Sequence, residues 1–328
     1  MLVLDAAAIR ELFPMKESIE LMRSALVAFS SARALVPQRL MLRIPGGDAY
    51  AVMPGYAAPS PDVPHGGFGI KVIAIKPDNP SRGLPVNSGL VLAFDELTGR
   101  PDAVLDGATI TEIRTAAVSG VATDLLARPD AATLAILGAG VQARSHLEAM
   151  AAVRPLRGAR IWSRTEERAR ALAESAQDYP FPVSVASSVA EATDGADIIC
   201  TVTGSVEPVL RDRDVPAGAH VNAVGSSFPD KRELTEELVA RCSVFVDSRS
   251  SALAEAGELV IPIGRGAFGP EVVLAEIGEL LLGRSAGRRG PDETTLFKSL
   301  GLAVEDTLSA SFIAHRARHR GVGQEVSF

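Results

Sequence analysis

The chain has 328 residues, 47% of them hydrophobic and 22% charged, with a formal net charge of −7. That length suits two packed cores, and that composition excludes a disordered chain. An acidic chain without a basic tract lacks the electrostatic footprint for nucleic acid, and no uncharged apolar run reaches membrane-spanning length. The N-terminus has no basic segment leading into an apolar core, and Cys200 and Cys242 have neither metal-ligand spacing nor a disulfide pattern. A cytoplasmic protein with no nucleic-acid or membrane partner is expected.

Two helices open the chain. Asp5 caps Ala6 to Phe13, Pro14 ends that segment, and Met15 to Ala34 carries Ile19, Met22, Leu26 and Phe29 at helical spacing. Short apolar stretches follow at Leu40–Ile44, Ala49–Met53, Gly69–Ile75, Ser88–Phe94 and Ala103–Leu105, separated by Gly, Pro, Asn and Asp. They predict strands of a sheet built largely from hairpins. Thr109 to Ala127 is an Ala-rich helix with Ile110, Ile113, Ala117, Val121 and Leu125 on one stripe.

After Arg128-Pro129-Asp130 the texture changes. Strands at Thr133–Leu137, Ala159–Trp162, Val183–Ala186, Asp197–Thr203, His220–Gly225 and Val244–Asp247 alternate with helices. Strict alternation predicts a doubly wound parallel sheet. Beyond Gly290-Pro291 a closing helix is expected from Thr294 to about Arg318, with Phe297, Leu300, Val304, Leu308 and Phe312 on one face. Its apolar stripe needs a partner surface and is expected to pack back on the N-terminal domain. The predicted fold is α/β: a Rossmann domain over 129–293, and an α+β substrate-binding and dimerisation domain formed by 1–128 with 294–328.

Ala135-Ile136-Leu137-Gly138-Ala139-Gly140-Val141-Gln142-Ala143 reads as strand, then G-x-G-x-x-A, then helix. Gly138 permits the tight turn, Gly140 the close approach of a pyrophosphate, and Ala143 close helix–strand packing. The N–H groups of the helix beginning near Val141 would hold the phosphates. The second strand ends Trp162-Ser163-Arg164-Thr165, with no acid at the position that binds ribose hydroxyls in NAD-specific sites. Ser163, Arg164 and Thr165 suit a 2′-phosphate, so NADPH is expected to be preferred, with NAD possible. Alternatively, Arg164 is a solvated surface arginine. The expected cofactor contacts are Thr115, the loop residues Gly138, Ala139, Gly140, Val141 and Gln142, the strand-end residues Ser163, Arg164 and Thr165, and Thr201, Val202, Thr203 and Val224. For Thr201 and Thr203, at a strand's carboxyl end, an ordinary strand role is an equal alternative.

The chain resembles the ornithine cyclodeaminase/mu-crystallin family along nearly its whole length. The carrying segments are Met53-Pro54-Gly55-Tyr56, Ile113-Arg114-Thr115-Ala116-Ala117, Leu137–Ala143, Ile161-Trp162-Ser163-Arg164-Thr165, His220-Val221-Asn222-Ala223-Val224-Gly225 and Phe297-Lys298-Ser299-Leu300-Gly301. The resemblance implies a homodimer formed through the substrate domain, and hydride transfer between nicotinamide and the α-carbon of an amino or imino acid. By position, Arg39 resembles the family's first carboxylate-binding arginine, Lys71 its active-site lysine and Arg114 its second carboxylate clamp.

The residues themselves support these positions unequally. Lys71 lies in Ile70-Lys71-Val72-Ile73-Ala74-Ile75, apolar on both faces, where burial would lower its pKa and make it a usable proton donor or acceptor. The alternative is a lysine that snorkels to the sheet edge. Arg114, alone in an apolar helix, is either a bidentate carboxylate contact or a structural partner of Glu112, Asp106 or Asp124. Arg39 has no support beyond the resemblance.

One departure bears on the reaction. Ornithine cyclodeaminases carry an aspartate after the Asn-Ala-Val-Gly segment, where this chain has Ser227, with Asp230 beyond a proline. A hydroxyl can hydrogen-bond but cannot act as a base near neutral pH. The segment is closer to the mu-crystallin branch, whose members resemble NADPH-dependent ketimine reductases. The resemblance therefore implies reduction of an α-imino acid, such as 1-pyrroline-2-carboxylate or 1-piperideine-2-carboxylate, to the L-imino acid, with Ser227 near the substrate. The alternatives are an ornithine cyclodeaminase, an alanine-type amino-acid dehydrogenase, and a non-catalytic NADP-bound protein. His315 and His319, four apart among arginines, read as a solvated helix end, and no metal is expected.

Overall fold

Asp5 caps the first helix, α1 (Ala6–Leu12), accepting the Ala8 N–H at 2.9 Å, and Pro14 stands before α2 (Met15–Ser30). Ile9, Leu12, Ile19, Met22 and Leu26 on these helices are buried. The computed structural model describes residues 1–61, 63 and 66–327. It divides into two units, Met1–Arg114 with Gly301–Phe328, and Thr115–Leu300.

The first unit holds an eight-stranded sheet. Its strands are β1 (Leu2–Leu4), β2 (Ala34–Leu35), β3 (Leu40–Arg43), β4 (Ala49–Ala57), β5 (Gly67–Ile75), β6 (Asn87–Phe94), β7 (Pro101–Asp106) and the short Gln324–Glu325. The order is Gln324–Glu325, β1, β7, β6, β5, β4, β2, with β3 also on β4. All pairs are antiparallel except β1 with β7. Along β5, Gly67, Gly69, Lys71 and Ile73 are buried while Phe68 and Val72 are exposed, so one face is covered and the other is open. The cover is the closing helix, Ala303–Arg320, packed on β4, β5 and β6 and on α2. Small residues let it lie close. A Cβ at Gly69 would stand 2.9 Å from Thr307 Oγ1, and one at Gly55 3.0 Å from Ala303.

The second unit is a parallel sheet of β8 (Thr133–Leu137), β9 (Gly158–Trp162), β10 (Val183–Val185), β11 (Ile198–Thr201), β12 (His220–Ala223), β13 (Ser243–Val246), β14 (Val273–Glu276) and β15 (Thr295–Lys298). Its order is β10-β9-β8-β11-β12-β15-β13-β14, with every neighbour parallel. The chain reverses its direction of build between β8 and β11, the topological switch point where such sheets bind dinucleotides. The α/β class read from the sequence is the one observed.

Several details differ from expectation, the unpredicted strands β1, β2 and Gln324–Glu325 among them. The helix expected from Thr294 begins only at Ala303, because Thr295–Lys298, buried on both faces, is a central strand. Gly301, at φ +81°, then turns the chain into the helix. The strand Val273–Glu276 was not anticipated and extends the sheet beyond β13. The units part at Arg114/Thr115 and Leu300/Gly301, where sequence texture suggested 128/129 and 293/294. Two contacts account for this within the second unit. β15 and the Leu300 N–H, which donates to Asp247 Oδ2 at 2.6 Å, keep the chain with its sheet, and Asn222 Nδ2 donates at 2.9 Å to Thr123 Oγ1 in the second half of α3 (Gly107–Leu126). Among the described residues, no helix is long and apolar enough to cross a membrane.

Candidate active site

Lys71 lies on a central strand, opposite Met53 on β4 and Val91 on β6, and is only 2% exposed. It therefore does not snorkel to an edge. Its Nζ stands 2.7 Å from Asp306 Oδ2 and donates to Thr111 Oγ1 at 3.4 Å. A buried ammonium without a partner would be too costly to keep charged. Burial lowers the Lys71 pKa from 10.5 to about 8, and the nearby Arg114 charge adds to this. Asp306 opposes both by favouring the charged form, and Arg39 lowers it further. The outcome is a proton donor poised near physiological pH.

Asp306 comes from the first turns of the closing helix, where Ala303 to Ala310 are all buried. It also accepts from Arg114 Nε at 3.1 Å, while Arg114 Nη1 donates to Glu305 at 2.7 Å. Arg114 thus pairs with two acids that the sequence reading had not weighed. The three it had weighed are engaged elsewhere. Glu112 pairs with both terminal nitrogens of Arg10, Asp124 with Arg154 at 2.9 Å, and Asp106 accepts the Thr109 N–H at 2.7 Å.

Gly301 joins the cluster. At its φ of +81° any side chain would be strained, a Cβ there would lie 2.3 Å from Arg114 Nη1, and its carbonyl accepts from Arg39 Nη2 at 3.3 Å. The structure thus brings Lys71, Arg114 and Arg39 together with Glu305 and Asp306. Among these five, three are cations and two are anions.

The nucleotide loop lies in the second unit. Gly138 has φ +122°, and its N–H bonds the Trp162 carbonyl at 2.8 Å. A Cβ on it would meet the Val202 carbonyl oxygen at 2.8 Å. Gly140 has open space where a Cβ would be, and it precedes α4 (Val141–Val153) without a side-chain cap. Ala143 is fully buried against the sheet. An open cradle at an uncapped helix N-terminus fits a dinucleotide pyrophosphate.

At the end of β9, Ser163 is half-buried and Arg164 and Thr165 are exposed. Ser163 Oγ accepts the Thr165 N–H at 3.3 Å, and Arg164 forms no ion pair among the described residues. Thr115 is buried on α3, and the Val224 N–H bonds the Thr201 carbonyl at 2.9 Å. Thr201 and Thr203 differ from the simplest expectation, because both hydroxyls donate to the buried Glu233, at 2.8 and 2.7 Å.

Ser227 is half-buried in the loop after β12, and Asp230 is exposed. The His315 and His319 rings stack edge to face at 4.4 Å. Among the described residues, no group of three or more His, Cys, Asp or Glu side chains could hold a metal. Sequence reasoning missed Glu305, Asp306, Glu233, Glu258 and Lys298. The usable signals were two adjacent acids, Glu305 and Asp306, between Val304 and Leu308 of the apolar stripe, and Lys298 directly after Leu296-Phe297.

The model of the ornithine cyclodeaminase/mu-crystallin family matches residues 1–321. The Δ1-pyrroline-2-carboxylate reductase of Bacillus cereus is 40% identical over 332 residues, covering 100% of both chains. Mouse ketimine reductase mu-crystallin is 41% identical over 262 residues, 80% of this chain and 78% of that protein. The Δ1-pyrroline-2-carboxylate reductase of Thermococcus litoralis, solved with NADH and L-proline, superposes with TM-score 0.96 at 35% identity, covering 99% of this chain and 100% of that one.

Proposed function

The chain belongs to the ornithine cyclodeaminase/mu-crystallin family, and from that premise we propose that it is an NAD(P)H-dependent reductase of cyclic α-imino acids. The observation carrying this reading is the buried Lys71–Asp306 pair, flanked by Arg114 and Arg39, in a chain that also has a dinucleotide loop. The relatives named as pyrroline-2-carboxylate and ketimine reductases support it.

When bound, the reduced nicotinamide supplies the hydride that adds to the imine carbon. Lys71 holds the proton that the nitrogen takes as C=N becomes a single bond. Asp306 keeps that ammonium charged despite its burial. Arg39 and Arg114 hold the substrate carboxylate, whose negative charge balances the one excess cation of the cluster. Catalysis by the protein is then positioning and electrostatics. Ser227 stands where ornithine cyclodeaminases carry an aspartate, and its hydroxyl cannot act as a base, which argues against ring closure of ornithine with loss of ammonia. The test follows NADPH absorbance on adding the five- and six-membered cyclic imines. Oxidation by either supports the reading and ranks ring size; silence with both overturns it.

We assign NADPH as the preferred cofactor, on the exposed Arg164 between Ser163 and Thr165 and on the lack of an acid at the strand end. A charge-assisted contact to a 2′-phosphate is worth roughly 1.5–3 kcal/mol, so Arg164→Asp should reduce the NADPH-to-NADH preference about tenfold or more. An unchanged ratio of kcat/KM values would sink the assignment.

We also assign a homodimer through the open face of the first sheet. Leu40, Val52, Val72 and Leu90 form one row across β3 to β6, and Leu40, Val72 and Leu90 are 68%, 40% and 51% exposed. A patch this apolar is characteristic of an interface. A carboxylate buried there without a partner is strongly unfavourable, so Leu90→Glu should weaken the dimer about 100-fold or more. Light scattering during gel filtration would show a monomer. A dimer that persists at low concentration would refute this interface.

A further inference from the structure

Glu233 is fully buried in the second unit, and four donors converge on its carboxylate. Oε1 accepts the Thr203 N–H at 2.6 Å and the Thr203 hydroxyl at 2.7 Å. Oε2 accepts the Gly225 N–H at 2.7 Å and the Thr201 hydroxyl at 2.8 Å. The two backbone donors lie just beyond the carboxyl ends of the adjacent strands β11 and β12. The two loops touch backbone to backbone, since a Cβ at Gly225 would stand 2.0 Å from the Thr203 carbonyl oxygen.

The carboxylate is itself held. The Glu233 N–H donates to Glu258 Oε1 at 2.9 Å, and Lys298 at the end of β15 lies 3.4 Å from Glu258 Oε2. Lys298 Nζ also bonds the carbonyl of Ser226, next to Ser227. Both Glu258 and Lys298 are 1% exposed. A buried ionic cluster contributes little net stability compared with apolar packing, yet breaking it is costly. What it does supply is fixed geometry across the ends of three neighbouring strands. Parallel sheets bind their ligands at that edge, and the β11–β12 side of the switch point is where the second mononucleotide half of the cofactor belongs.

We propose that Glu233 is the positioning residue for the nicotinamide half of the cofactor, setting the spacing of the Thr203 and Gly225–Ser227 loops, with Glu258 and Lys298 fixing Glu233 in turn. The inference rests on the reductase reading above. It makes Thr201 and Thr203 supports of the cofactor surface, with their hydroxyls committed to Glu233.

Glu233→Gln sets an NH2 donor where one acceptor oxygen faced a backbone N–H and a threonine hydroxyl; the hydroxyl can turn to accept, so the bond to the backbone N–H is the one lost. In the full-length enzyme it should lower kcat about 10- to 100-fold, as a small misplacement of reacting groups does. The isotope effect with 4-deuterated NADPH should rise, and the KM for the imine should change little. NADH affinity should fall while ADP-ribose, which lacks the nicotinamide, binds as before. A lower thermal midpoint with unchanged kcat and isotope effect would reduce Glu233 to a structural role and overturn the proposal, as would equal weakening of NADH and ADP-ribose. If Glu233→Gln does not fold, Thr201→Val removes the single bond from that hydroxyl to Glu233 and should show the same pattern at several-fold size; unchanged kinetics there overturn it equally. If the wild-type enzyme reduces neither imine, the reductase reading fails, and the NADH against ADP-ribose comparison still decides this inference.

Discussion

Lys71→Met is expected to lower imine turnover about 10²- to 10⁴-fold, the usual contribution of a positioned general acid, while NADPH affinity stays unchanged. Methionine keeps the length of the side chain and removes the ammonium, so the change is one of charge and proton more than of volume. Removing one member of a buried pair commonly costs about 3–5 kcal/mol. Here Asp306 retains its bond from Arg114 Nε at 3.1 Å, which should hold the remaining carboxylate in place. Turnover per folded molecule, normalised by cofactor titration, separates the chemical loss from any loss of fold. The dinucleotide loop lies in the other unit, so cofactor binding is an independent readout. Retained turnover would remove Lys71 from the mechanism.

The second large effect is on pH dependence. With Lys71 at about 8, imine reduction should decline as pH rises through that value, because the proton donor is lost. The reverse oxidation should rise over the same range, because it needs the free amine. Asp306 raises the Lys71 pKa, so Asp306→Asn should move both limbs to lower pH and shrink the range in which the reductase works. Limbs that do not move would show that Lys71 is not the titrating group.

The stability consequence has a definite sign. The folded value, about 8, lies below the ordinary 10.5, so between them the unfolded chain binds one proton more. This group's contribution to stability therefore increases with pH across that window, and its penalty is full below it.

Much of this was legible in the sequence, for identifiable reasons. Gly138, Gly140 and Ala143 announce themselves because strand, turn and helix must follow in fixed spacing around a phosphate. Lys71 was legible because an ammonium in a strand apolar on both faces demands an explanation. Its partner was not. Asp306 can be assigned to Lys71 only once the closing helix is known to lie on β5, and Gly55, Gly69 and Thr307 set that contact. The run Thr295–Lys298 is short, with Leu296 and Phe297 adjacent at its centre, and such a run does not distinguish a buried strand from a buried helix. Reading it as helix hid Lys298 at a strand end. Glu233 sits in a loop with no periodicity, where sequence alone offers no reason to expect burial or four donors.

The central claim is a net redox reaction at the imine carbon. Its most direct test is the stoichiometry of NADPH consumed to L-imino acid formed when 1-pyrroline-2-carboxylate is the only other substrate. This account predicts one L-proline for each NADPH oxidised. It would be contradicted by an unchanged NADPH signal together with conversion of ornithine to proline and ammonia on catalytic NAD⁺.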